Sequence, residues 1–248
     1  MIPRILATIL FLVSFISLNA QDQVYEFRTY ELEFFRPADV LHNYFEQALI
    51  PALNRQGINN VGAFEETGEA LPKKIYLLIT YENLLAYQAA IDALANDEQY
   101  QKDAKPYLTA SPESIPYNKI SVNLILSTTG FPKLVKPAVD AELFELRIYE
   151  SYNEDALRRK IKMFNDSEFG IFKDVGLPTV FFGSNIAGDQ MPCLTYMLAF
   201  KNKAAHAEAW SKFVAHPEWQ RIVKLEEYTN AMNDITRVFL KSLPYSQL

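Results

Sequence analysis

The chain has 248 residues, 49% of them hydrophobic, and its 24 basic against 30 acidic side chains give a net charge of −6. Such a composition supplies an ample globular core and excludes disorder, while an acidic balance with no Lys/Arg-rich run excludes nucleic acid or an anionic membrane surface as partner. A single cysteine, Cys193, excludes an internal disulfide, so packing alone must hold the fold.

The chain opens with Arg4, a nearly continuous apolar run from Ile5 to Leu18, and the small-residue site Asn19-Ala20-Gln21. Residues 1–20 read as a secretory signal peptide, which predicts export to the periplasm or the extracellular space. The run is shorter than the roughly 20 residues that span a bilayer, and no other segment is a candidate, so no integral membrane segment is expected after cleavage. Removal of the leader takes away Arg4 and leaves a net charge of −7.

Glu26-Phe27-Arg28-Thr29-Tyr30-Glu31 returns as Glu145-Leu146-Arg147-Ile148-Tyr149-Glu150. Both stretches read as strands whose period of two places Glu, Arg and Tyr on one face and Phe27 or Leu146 on the other. An offset of 119 residues aligns Val24 to Tyr100 with Leu143 to Trp219 without a gap. The identities are sparse, but four of them fall in this opening strand.

After each opening strand, apolar residues recur at helical spacing over Pro37 to Arg55 and from about Glu154 to Asp174, with Asn153 as an N-cap and aligned glycines, Gly57 and Gly176, as left-handed C-terminal caps. Second strands are predicted at Asn60 to Glu65 and Thr179 to Gly183. Third strands, Ile75 to Tyr81 and Leu194 to Phe200, are apolar on both faces and so expected to be covered on both. Cys193 is expected to be buried ahead of the second of these. Asn83 and Asn202 are the predicted N-caps of second helices, burying Leu84, Tyr87, Ile91 and Leu94 in one copy and Ala207, Trp210, Phe213 and Val214 in the other. A turn follows at Asn96 to Tyr100 and at His216 to Gln220, with an extra helical stretch from Arg221 to Asn233. Fourth strands are predicted at Ile120 to Ser127 and Ile235 to Lys241.

Each copy therefore runs strand, helix, strand, strand, helix, strand, the split order of a ferredoxin-like sandwich. The class is α+β, with halves at 21–129 and 141–248 and a Pro-containing linker at 130–140. Two helices cover one face of each four-stranded sheet. An uncovered second face would be a large exposed apolar patch, so the two sheets are expected to pack face to face as one pseudo-symmetric α/β barrel.

The repeated Glu-x-Arg-x-Tyr strand, His216-Pro217-Glu218-Trp219-Gln220 and the closing Phe239-Leu240-Lys241-Ser242-Leu243-Pro244-Tyr245-Ser246 resemble the NIPSNAP family of the dimeric α/β-barrel superfamily. The second half resembles it most closely; the first has Asn96-Asp97-Glu98-Gln99-Tyr100 at the turn. The resemblance implies the barrel fold and carries no agreed reaction. Better-known members of the family resemble adaptor or trafficking-associated proteins, and the superfamily also includes haem-degrading and cofactor-free monooxygenases.

Within a barrel, Glu26, Arg28, Tyr30, Glu145, Arg147 and Tyr149 are expected to project between the sheets. Buried charges demand partners. One reading is a closed ion-pair network that specifies docking; the other is an arginine-lined pocket for a small anionic or carbonyl-bearing ligand, oriented by tyrosine hydroxyls. His42, His206 and His216 have no metal-ligand spacing and read as surface or capping residues, and Trp210 and Trp219 as core. No metal or cofactor is expected, no nucleophile or phosphate-loop motif is present, and no catalytic residue is assigned. Self-association stays open. The chain thus reads as an exported ligand-binding or interaction module; the alternative is a cofactor-independent monooxygenase or isomerase.

Overall fold

The computed structural model describes residues 22–248, so the expected leader at 1–20 lies outside the described residues. Eight antiparallel strands close into one barrel in the order β1-β3-β2-β8-β5-β7-β6-β4. They are β1 (Val24–Leu32), β2 (Val61–Glu66), β3 (Lys74–Tyr81), β4 (Tyr117–Ser127), β5 (Leu143–Glu150), β6 (Thr179–Ala187), β7 (Cys193–Phe200) and β8 (Asp234–Ser242). Within each half the order is that of a ferredoxin-like sheet. Two seams join the halves, β2 to β8 with Phe64 opposite Ser242, and β4 to β6 with Leu126 opposite Ser184. At the second seam a Cβ on Gly183 would lie 2.4 Å from the Leu126 carbonyl oxygen, so only glycine allows the two strands this approach.

The helices sit outside the barrel. Asn83, Asn153 and Asn202 cap theirs as expected, each side chain accepting a hydrogen bond from the backbone N–H three residues on, at 2.9, 2.9 and 3.0 Å. Gly57 and Gly176 adopt φ of 82° and 76°, the left-handed geometry that ends a helix. Each long first helix, 39–55 and 154–175, contains a π turn, at Phe45–Leu49 and Phe164–Glu168. The two turns stand at equivalent places in the repeat.

Three local expectations change. The segments expected as turns are short helices, Glu98–Asp103 and Pro217–Ile222, the second begun by a proline in its first turn and capped by the His216 ring. The stretch from Arg221 to Asn233 then holds only the end of that helix and one 3-10 turn, Glu226–Tyr228. Leu84, Ile91, Ala207 and Val214 are exposed. The second helices are covered mainly through Ala90, and through Ala209 and Phe213, because their apolar positions extend around more of the surface than one sheet can cover.

The largest correction concerns which face of β1 and β5 points inward. The barrel interior is filled by Tyr25, Phe27, Phe64, Leu78, Phe144, Leu146, Phe181, Met197 and their neighbours. Glu26, Arg28, Tyr30, Glu145, Arg147 and Tyr149 take the opposite parity and lie between sheet and helices. The middle of the barrel offers these groups only apolar neighbours, its polar side chains, Glu31, Lys119, Asn123 and Asn185 among them, standing towards one end. Beneath the helices, tyrosine, lysine, histidine and tryptophan side chains arrive to satisfy the charges.

The closing motif straps the halves together. Beyond β8, the Ser246 hydroxyl accepts from the Ala63 N–H at 3.0 Å, and the Gln247 N–H donates to the Val61 carbonyl at 2.9 Å, occupying the rest of the β2 edge.

Candidate functional site

The two copies of the repeated strand end in different surroundings. In the first half the Arg28 fork closes on Glu26, with Nε to Oε1 at 2.7 Å and Nη2 to Oε2 at 3.0 Å. The Tyr81 hydroxyl donates to the same carboxylate at 2.9 Å. Tyr30 stands edge-on to Phe45 and Tyr117. The helix above contributes Leu41 and Leu49, both fully buried. This half is a satisfied ion pair under an apolar lid.

In the second half Glu145 and Arg147 share a single hydrogen bond, Nη1 to Oε1 at 2.9 Å. The other carboxylate oxygen is taken by His206 Nε2 at 3.0 Å and by the Trp210 indole N–H at 2.8 Å. That turns the guanidinium away from its carboxylate and onto the Trp210 ring, 4.2 Å from Cζ to centroid. Arg147 Nε is left buried without a hydrogen-bond partner, on a residue only 8% exposed. A cavity of about 400 Å³ opens in front of it, bounded by Glu145, Arg147, Tyr149, Lys160, Glu168 and His206, walled by Trp210, Phe213, Trp219 and Phe239, and reaching Arg237 at its exposed mouth.

Lys160 and Glu168 form the deep end. Their positions correspond to Leu41 and Leu49 in the first half, yet here they carry charge and pair at 2.5 Å, with both side chains buried. Eight residues of regular α-helix would set them about 80° apart. The π turn at 164–168, closed by the Phe169 N–H onto the Phe164 carbonyl, winds more loosely and brings them to one face. Burial raises the Glu168 carboxyl above its ordinary range, opposed by the nearby Lys160 and Arg147 cations. Burial also lifts the Tyr149 phenol to about 12. Its oxygen accepts a hydrogen bond from Tyr196 at 2.7 Å.

The predicted residues thus separate. Glu145, Arg147 and Tyr149 share one cavity; Glu26, Arg28 and Tyr30 lie beneath the other pair of helices in a network closed on itself. Lys160, Glu168 and Arg237 were not singled out by sequence, and His206 and Trp210 turn out to hold Glu145. The signal for Lys160 and Glu168 was present, since the 119-residue offset sets two charges on core leucines. His42 instead bonds Tyr245 through Nδ1 at 2.7 Å. Cys193 is buried, its thiol pushed up to about 12. Among the described residues no group of three or more His, Cys, Asp or Glu side chains could hold a metal ion.

Fold and site define a tandem α/β barrel with one polar, aromatic-walled cavity between sheet and helices in its second half. The NIPSNAP family model matches residues 25–111 and 144–247, and the chain belongs to that family. Among curated proteins no sequence relative is found. Of solved structures, a candidate monooxygenase from Fusobacterium nucleatum aligns at 11% identity and TM-score 0.58, covering 90% of this chain and 93% of its own. A second, from Lactobacillus acidophilus, aligns at 12% identity and TM-score 0.57, covering 89% and 94%. A NIPSNAP-like domain protein from Burkholderia xenovorans aligns at 18% identity and TM-score 0.39, covering 43% and 90%. At these identities the likeness to the first two is one of fold.

Proposed function

We propose that the second-half cavity binds a small ligand that presents an anionic or carbonyl oxygen to Arg147 and an apolar, preferably planar, body to the tryptophans. The observation that carries this reading is that Arg147, which lines the cavity, keeps a buried Nε without a hydrogen-bond partner. An unsatisfied buried donor on a charged group costs several kcal/mol, which a ligand oxygen would recover, and a guanidinium fork suits a carboxylate. Native mass spectrometry of the purified chain tests it: a retained small molecule, absent from Arg147→Leu, is the expected result. Equal occupancy in both proteins would remove the assignment.

A second reading, a cofactor-independent monooxygenase or isomerase, is favoured by one observation. A carboxyl group with raised proton affinity, Glu168, lies in the same cavity, and such groups are suited to proton transfer. The composition of residues 1–20 supports a further proposal, that the protein does its work after export, with the ligand drawn from the periplasmic or extracellular medium.

A further inference from the structure

We propose that Glu168 is the proton-transferring group of the cavity and that the ligand is an enolisable aromatic 2-oxo acid, converted between its keto and enol forms; this rests on the binding role of Arg147 given above. The argument begins from the register of the two helices. Where the first half packs Leu41 and Leu49, the second places Lys160 and Glu168, and its π turn directs both towards one cavity. A closed ion pair could have served packing alone. Here only Glu168 Oε1 is hydrogen-bonded to Lys160, and Glu168 lines the same cavity as Arg147, Tyr149 and Arg237, whereas the other carboxylate there, Glu145, is held by Arg147, His206 and Trp210.

Those other groups define the substrate. Arg147, buried on β5, and Arg237, at the mouth on β8, are direct cross-strand partners, an arrangement that favours a carboxylate between them. Trp210, Trp219, Phe213 and Phe239 form aromatic walls, suited to a ring. A molecule with carboxylate, adjacent carbonyl and aromatic ring satisfies all three, and the carbon between carbonyl and ring is its acidic position.

In the step assigned to Glu168, the C–H bond at that carbon breaks and the proton passes to the carboxylate oxygen. The C–H electron pair becomes the C=C bond, and the carbonyl π pair moves to oxygen, where an Arg147 N–H donates to the developing enolate. Glu168 then returns the proton to that oxygen, giving the enol, or to carbon in the reverse direction. No oxidant or other co-reactant is consumed. Lys160 is a positioning residue, since its ammonium holds the carboxylate in place.

The test uses the full mature chain and phenylpyruvate in D2O, following loss of the methylene proton signal by NMR, with binding measured separately by calorimetry. The control is the double variant Lys160→Leu/Glu168→Leu, which installs the pair that the first half already packs at these positions. The wild type is expected to exchange the methylene protons at least about 100-fold faster than the double variant, which still binds phenylpyruvate through Arg147. Glu168→Gln should likewise bind without exchanging. Wild-type binding with exchange no faster than in the double variant would overturn the role of Glu168 and leave the Arg147 site standing. Absence of phenylpyruvate binding, with a different anion retained in native mass spectra, would overturn the 2-oxo acid class alone.

Discussion

Arg147 and Arg237 face each other across the β5–β8 ladder, whereas Arg28, the equivalent of Arg147 in the first half, faces Val122 on β4. Like charges at directly opposed positions weaken a sheet by about 0.2–1 kcal/mol. Replacing Arg237 by Leu should therefore leave stability unchanged or raise it slightly, by thermal melt, while weakening carboxylate binding about tenfold. Unaltered affinity would remove Arg237 from the site.

Arg147→Leu is the stronger binding variant. Glu145 keeps His206 and Trp210 as partners after the change, so the fold should tolerate it, whereas loss of a charge-assisted contact should lower affinity by roughly 10- to 150-fold. Calorimetry with phenylpyruvate, beside a thermal melt, separates the two effects. A large drop in melting temperature with normal binding would mean that Arg147 is structural.

The mirror-image substitution should behave oppositely. Arg28 holds both oxygens of Glu26, and removing one partner of such a buried pair costs about 3–5 kcal/mol. Arg28→Leu is expected to lower the melting temperature clearly and to leave ligand affinity as it was. An unfolding free energy equal to wild type would contradict the closed network.

Lys160 and Glu168 predict a pH signature. The folded state raises the Glu168 pKa above its ordinary 4.5, so the native chain binds its proton more tightly than the unfolded chain does. The associated stability is fully present below the ordinary value and is lost as pH rises through the raised one. The double leucine variant should lack this component, giving a flatter stability curve across that window in urea titrations at stepped pH. For catalysis the sign is reversed: proton abstraction needs the carboxylate, so exchange should rise with pH over the same interval.

The proposed leader at residues 1–20 offers a test of compartment. Expression in a bacterial host, followed by intact-mass measurement of the periplasmic fraction, should return a chain beginning at Gln21. A cytoplasmic product that retains Met1 would refute the leader.

Much of the architecture was legible because it rests on local rules. The Asn83, Asn153 and Asn202 caps, the glycine at each first-helix end, and the strand spans all follow from hydrogen-bonding and dihedral preferences that neighbouring residues set. The repeat doubled their weight, and the need to cover a second apolar sheet face required the barrel. The Glu-Arg pairing was legible as well, since side chains two apart on a strand lie side by side.

Alternation alone determined that Phe27 and Arg28, or Leu146 and Arg147, face opposite ways. Which of those faces looks into the barrel was decided only when the helices docked, because both faces of such a strand are buried and a period of two is silent about what covers each. The charges lie under the helices because only there do Tyr81, His206 and Trp210 reach them. Both halves share the π turn; what opens the second is the convergence on one cavity of two charges in place of two leucines with an arginine delivered by β8 from far along the chain.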